Sequence, residues 1–178
     1  MPSFGWRDTT GCDPRRVTAT IRPAREEDDA ALRSLDSATW SWTVSPTPAP
    51  PHGKPFFGAT SRPEDGLVAE VGDAVAGYVM LGPPLPLDSN RHVVEIRGLA
   101  VDPAHQGHGI GRLLVDAAVH TASARGARRL TLRVLAPNAS ARALYESCGF
   151  EVEGILREEF LLDGRYVDDV LMALDLTS

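Results

Sequence analysis

Residues 93–112 read Val-Val-Glu-Ile-Arg-Gly-Leu-Ala-Val-Asp-Pro-Ala-His-Gln-Gly-His-Gly-Ile-Gly-Arg. The apolar, β-branched first half predicts a strand over Val93–Val101, ended by Asp102-Pro103. From Gly109 onward Ile110, Leu113, Leu114, Ala117, Ala118 and Thr121 recur at helical spacing, and Gly126 marks the helix end. Gly107, Gly109 and Gly111 alternate across the strand-to-helix junction. Glycines there let backbone N–H groups approach an anion closely, and a helix N-terminus adds about 0.3–1 kcal/mol of favourable dipole. The junction therefore reads as a cradle for a phosphate-bearing ligand. A plain glycine-rich turn without a ligand is the alternative, made less attractive by three alternating glycines. A P-loop would need GxxxxGK followed by Ser or Thr, and no lysine is present. A dinucleotide fold would need GxGxxG with an acidic residue about 20 positions on, which is also missing.

Upstream, Val17–Ile21 reads as a short strand, and Arg25-Glu26-Glu27-Asp28-Asp29 opens a helix carrying Ala30, Leu32, Leu35 and Ala38. Leu67–Val71 and Ala74–Leu81 flank Gly72-Asp73, the signature of a tight hairpin. Downstream, residues 130–135 form a strand. Pro137-Asn138 introduces a helix that runs through Cys148, and Gly149 caps it. Phe150–Leu162 and Tyr166–Leu174 make a second hairpin around Asp163-Gly164. The order strand, helix, loop, hairpin, strand, helix, strand, helix, hairpin predicts an α/β domain on a mixed sheet, spanning 17–178. Residues 1–16, polar and without period, are read as an extension outside that core. Between Trp40 and Gly66 prolines 46, 48, 50, 51, 55 and 63 prevent long regular elements, while Trp40, Trp42, Phe56 and Phe57 supply aromatic surface that a spacer would not need.

The segment 101–114 resembles the acetyl-CoA signature of the GNAT N-acetyltransferase superfamily, [Q/R]-x-x-G-x-[G/A], with Gln106, Gly109 and Gly111 filling the pattern. A second motif of that family follows in order, Asn138-x-x-Ala141-x-x-Leu144-Tyr145-x-x-x-Gly149-Phe150. The resemblance extends from Val17 to Leu174 and implies a central twisted mixed sheet flanked by helices. It also implies that Gln106, Gly107, His108, Gly109, Ile110, Gly111 and Arg112 hold the acetyl-CoA pyrophosphate. Leu99, Ala100 and Val101 would pair their backbone with the pantetheine arm, and the strands at 93–101 and 130–135 would splay to admit it. Asn138 would contact the same ligand, besides serving as a helix N-cap.

Acetyl transfer to an amine needs a neutral nitrogen, a polarised thioester carbonyl and a proton for the departing thiolate. By resemblance Glu95 is the base; an ion pair with Arg97 on the same strand face, without catalytic duty, is the competing reading. By the same resemblance Tyr145 is the proton donor, against a packing role in the stripe Ala141, Leu144, Tyr145, Cys148. Cys148 in that stripe reads as a small buried hydrophobe, so direct attack of the amine in a ternary complex is expected. The loop at 40–66 lies where the family places its substrate lid, which makes Trp40, Trp42, Phe56 and Phe57 an expected apolar acceptor pocket. Glu153, Glu158, Glu159, Asp168, Asp169, Asp28 and Asp29 either steer an ammonium or form a solvated charged face.

The 178 residues suit one domain, and a net charge of -6 with a pI near 5.3 argues against a nucleic-acid partner. No run approaches the roughly 20 apolar residues of a membrane span, and Met1–Val17 lacks a signal-peptide core. Two cysteines, Cys12 and Cys148, suggest a reducing compartment, so a cytoplasmic location is expected. The histidines show no metal-ligand spacing, and no metal is expected. The expected function is transfer of acetyl from acetyl-CoA to a primary amine of a small molecule or amino acid. The alternatives are a Rim-type acetyltransferase acting on a peptide N-terminus and a non-catalytic acyl-CoA-binding regulatory module. A homodimer is common in the family.

Overall fold

The computed structural model describes residues 18–51, 53–59 and 61–177. The predicted extension 1–16, the predicted domain start at Val17, and Cys12 and His52 lie outside them. The elements are β1 (Ala19–Pro23), α1 (Asp29–Thr39), β2 (Gly66–Val71), β3 (Ala74–Gly82), β4 (Val93–Val101), α2 (Ile110–Ala124), β5 (Arg129–Leu135), α3 (Ala139–Ser147), β6 (Glu151–Leu162) and β7 (Arg165–Asp175). Strand β1 sits two residues later than the sequence predicts and includes Pro23, which pairs with Leu67. Because β1 is the outer strand, bonded only to β2, the missing proline N–H costs no ladder bond that matters.

The seven strands lie in the order β1-β2-β3-β4-β5-β7-β6. Every neighbouring pair is antiparallel except β4 and β5, which run parallel because α2 carries the chain across between them. Helix α2 buries Ile110, Leu114, Val115, Ala118 and Ala122, a stripe at helical spacing, against one face of the sheet. Leu32 and Leu35 of α1 cover the opposite face with Val68, Tyr78 and Met80. The sheet is thus sandwiched, with a larger core under α2 and α3 and a smaller one under α1.

Two irregularities in β4 decide where the sheet opens and which side chains face the opening. Its parallel pairing with β5 extends only from Val93↔Arg129 to Ile96↔Leu132. Beyond that point β4 stays with β3 as far as Val101, and β5 stays with β7 as far as Leu135↔Asp169, so a gap opens between them. The second irregularity is a bulge: Met80 pairs with Gly98 and Leu81 with Ile96, leaving Arg97 without an opposite residue. The extra residue inverts the alternation. Val94 and Ile96 face the α2 core, and so do Leu99 and Val101, an odd number of residues later. Glu95 and Arg97 remain on the α1 face, as strand alternation predicts. Glu95 pairs with Gly82, and a Cβ on that glycine would meet Arg97 Cδ at 2.6 Å. Gly82 therefore makes room for the arginine stem.

Candidate active site

The gap between β4 and β5 is the throat of a cleft of about 1030 Å³ that runs from the α2 N-terminus to the loop after α1. That is the upper end of the roughly 300–1,000 Å³ of small-ligand sites. Glu95, Leu99, Ala100 and Val101 of β4 line it, and β5 no longer covers the last three. Gln106, Gly107 and Gly109 form its floor with Ile110, Gly111 and Arg112 from the first turn of α2. Asn138, the N-cap of α3, and Tyr145 within that helix enter the cleft from one side, and Trp40 enters from the C-cap of α1.

The glycine loop is shaped by its backbone. Gly107 and Gly109 have φ of +77° and +85°, a conformation that side chains rarely adopt, and a Cβ on either would have no atom within 4 Å. Conformation, not crowding, demands glycine at both, and the ground in front of them is open. Gly111 is different: a Cβ there would lie 3.1 Å from Leu144 Cδ2, so this glycine allows α2 to approach α3. Asp102 accepts a hydrogen bond from Ala104 N at 2.7 Å, and Gln106 Nε2 donates to Val101 O at 3.0 Å, tying the loop back to its strand. Arg112 Nη2 donates to Ser147 O at 2.7 Å. Asn138 caps α3 by accepting from Ala141 N at 3.2 Å. An acyl-CoA fits these features: open N–H groups at a helix N-terminus for its pyrophosphate, and an uncovered strand edge for its amide-bearing arm. His108 is placed outside the cleft lining, with Nδ1 3.3 Å from His105 O, whereas His105 does line the cleft.

Tyr145 is 7% exposed and packs against Phe150 with ring centroids 5.6 Å apart. Burial, with the nearby Cys148, raises its phenol above the ordinary tyrosine range, so it stays protonated. The same burial pushes the Cys148 thiol up, which leaves it a poor nucleophile. Glu95 is half-buried, and desolvation raises its carboxyl above the usual range against the pull of Arg97 and Arg133. Its carboxylate accepts no hydrogen bond from the described residues.

Of the four aromatics expected in an acceptor pocket, the structure brings only Trp40 to the cleft. Its Nε1 donates to Thr47 O at 2.9 Å, and Trp42 stacks edge-on against it at 5.0 Å. Phe56 and Phe57 pack under α1 instead, with Phe56 4.9 Å from Tyr78. They are drawn inward because the loop after α1 folds back on the helix, where Phe57 N donates to Asp29 at 3.0 Å. Two of the acidic residues read as steering or solvated charges are neither. Asp28 is buried in a bidentate pair with Arg22, and Asp169, 2% exposed, accepts from Arg133 Nε at 2.5 Å. Sequence reasoning missed Asp36, Tyr78, Arg133 and Phe160, which also line the cleft. They belong to no motif, and only the fold brings them to the β4–β5 gap. Among the described residues there is no cluster of side chains that could hold a metal ion.

A parallel strand pair that parts over a glycine-lined helix N-terminus, with a protonated tyrosine and a desolvated carboxylate in one cleft, is an arrangement that an acyl thioester would fit. Residues 30–150 match the model of the Acetyltransferase (GNAT) family, and the chain belongs to that family. An L-methionine sulfoximine/L-methionine sulfone acetyltransferase of Salmonella typhimurium is 33% identical over 110 residues, 62% of this chain and 64% of that protein. The match thus spans a little under two thirds of that relative's length. A ribosomal protein bS18-alanine N-acetyltransferase of the same organism is 32% identical over 124 residues, 70% of this chain and 80% of the relative. The structure of yncA from Salmonella typhimurium with its cofactor acetyl-CoA is similar, with a TM-score of 0.77 at 26% identity, covering 90% of this chain and 95% of that one.

Proposed function

We propose that this protein transfers the acetyl group of acetyl-CoA to a primary amine of a small molecule or amino acid, by direct attack within a ternary complex. The observation that carries the reading is the placement of Glu95 and Tyr145 in one cleft at the point where β4 and β5 part. Gly107, Gly109 and the first turn of α2 would hold the pyrophosphate, and the Leu99–Val101 backbone the pantetheine arm. Bound there, acetyl-CoA supplies an acetyl thioester.

An amine with a pKa near ~10 arrives as its ammonium and has no lone pair to attack with. Glu95 takes one of its protons, and its raised pKa makes it a better base than an ordinary carboxylate. The freed nitrogen bonds the acetyl carbon as the carbon–sulfur bond opens, and Tyr145 gives a proton to the sulfur. The second proton lost by the nitrogen restores Tyr145 through solvent, so one proton in total leaves by way of Glu95. Trp40 forms part of the acceptor wall, with Trp42 buttressing it. Phe56 and Phe57 support the acceptor side through Tyr78. A peptide N-terminus is the second reading, favoured by the relative that acetylates an alanine of a ribosomal protein. We place the reaction in the cytoplasm and carry a homodimer as its assembly.

Thiol release from acetyl-CoA, screened against small amines, amino acids and short peptides, tests the proposal. Tyr145→Phe and Glu95→Gln should each lower kcat by about 10²–10⁴ while acetyl-CoA still binds by calorimetry. In the wild type kcat/KM should fall as pH drops through the raised Glu95 value, and Glu95→Gln should remove that limb. Tight acetyl-CoA binding with no thiol release for any amine would instead make the chain a binding module.

A further inference from the structure

One carboxylate in the cleft has no part in acetyl transfer. Asp36 lies in the last turn of α1, where the helix dipole disfavours negative charge and no basic residue compensates. The only hydrogen-bond partner of its carboxylate among the described residues is the Tyr78 hydroxyl, which donates to Oδ1 at 2.7 Å. No arginine, lysine or histidine among the described residues forms an ion pair with it. Tyr78 is itself 5% exposed, and burial with the adjoining Asp36 charge holds its phenol protonated. The ring stands on β3 beside Gly98, whose Cβ would lie 3.6 Å from Tyr78 Cε2. Asp36 is therefore aimed by a buried tyrosine at the stretch of β4 just past Glu95, with one oxygen fixed and the other left for a ligand. Four residues on, Trp40 presents its indole to the same cleft, its ring pinned by the bond to Thr47. A half-buried carboxylate beside a fixed indole is the composition of a cation receptor.

Which cation it takes is set by the reaction, so this inference rests on the proposed amine acetylation. A carboxylate paired with the reacting nitrogen would stabilise the ammonium and oppose the proton loss that attack requires. Asp36 helps only if it grips a different positive group. We propose that Asp36 and Trp40 bind a second cationic group of the acceptor, one that stays protonated while the other nitrogen reacts, so that the preferred substrate is a diamine or another small amine carrying an additional cation. Tyr78 is a positioning residue for that contact.

The test compares 1,4-diaminobutane with 1-butylamine as acceptors in the thiol-release assay, using the full chain. The wild type should favour the diamine at least tenfold in kcat/KM, mostly through KM. Asp36→Asn keeps an acceptor oxygen for Tyr78 and should erase that preference by raising the KM for diamine, with kcat and the acetyl-CoA Kd within about twofold. Tyr78→Phe should reduce the preference only partly. Equal use of the two amines by the wild type, or a diamine preference that survives in Asp36→Asn, would overturn the inference and leave the acetyltransferase reading standing. Absence of release with every amine in the broader screen would overturn that reading itself.

Discussion

Asp28 and Glu95 are both drawn out of water beside arginines, and the balance falls in opposite directions: the hydrogen-bonded Arg22 outweighs burial at Asp28, whereas burial outweighs Arg97 and Arg133 at Glu95. Asp28 accepts 2.7 Å bonds from both Nη atoms of Arg22 and a 2.8 Å bond from Arg25 N. The Arg22 guanidinium holds its carboxyl below the usual carboxylate range. A lowered folded-state pKa contributes stability above the ordinary range, and that contribution is lost as pH falls through the lowered value. Asp28→Asn should cost about 3 kcal/mol at neutral pH, the low end for a broken buried pair because Arg22 keeps its 2.7 Å contact with Glu70, and should flatten the acid limb of stability. Urea denaturation between about pH 3 and pH 7 reads both. Glu95 has the reverse sign: with its pKa raised, its contribution is present below the ordinary range and lost as pH rises through the raised value. Glu95→Gln should therefore be at least as stable as the wild type at neutral pH while losing activity, and a clear drop in stability would assign Glu95 to the Arg97 ion pair instead. Glu95 and Tyr145 are singled out in the sequence by the family resemblance, and both line the cleft. The Tyr78–Asp36 bond is not legible there, since 42 residues separate its partners. Nor does the run Arg-Glu-Glu-Asp-Asp distinguish the buried Asp28 from its exposed neighbours Glu26 and Glu27.

Element boundaries come through the sequence well where a local turn sets them. Gly72-Asp73 and Asp163-Gly164 join β2 to β3 and β6 to β7 where the hairpin signal puts them, with Gly72, Asp163 and Gly164 all at positive φ. The α2 stripe and its bounding glycines, Gly109 and Gly126, are equally plain. What local pattern does not reveal is the bulge at Arg97, because an inserted residue leaves the apolar composition of β4 unchanged and only shifts which face it serves. That bulge turns Leu99 and Val101 toward the α2 core at the point where β5 departs, and so sets which backbone groups face the gap. The glycine loop offers a cleaner test of element geometry. Ala at position 109 would meet no atom within 4 Å, so Gly109→Ala adds only the strain of a left-handed residue, about 1–2 kcal/mol. We expect a fold retained with slightly lower Tm, and acetyl-CoA bound about tenfold more weakly because relaxing φ tilts the N–H groups at the α2 entrance. Gly126→Ala, at φ +78° with equally open surroundings but just past the far end of α2, should show the same loss of Tm with acetyl-CoA affinity unchanged.

At the scale of the molecule, the net charge of -6 opposes one substrate and favours the other. Acetyl-CoA is a polyanion, yet in the proposed complex its phosphate end would meet largely backbone N–H groups of Gly107, Gly109 and the α2 entrance, at short range. A cationic amine, the proposed acceptor, would be drawn by the field of the whole surface and by Asp36 and Glu95, both in the cleft wall. Short-range dipole contacts in a partly enclosed site are little affected by dissolved salt, whereas long-range attraction fades as the Debye length shrinks from about 30 Å at 0.01 M to about 8 Å at 0.15 M. The two substrates should therefore respond to ionic strength in opposite senses. Over that range the acceptor kcat/KM should fall by roughly three- to tenfold. The acetyl-CoA Kd should stay level or tighten as repulsion from the acidic surface is screened. Measuring both on one preparation separates the two contributions: a parallel weakening of acetyl-CoA and acceptor with salt would mean that arginines, and not the glycine-loop dipoles, supply most of the phosphate binding.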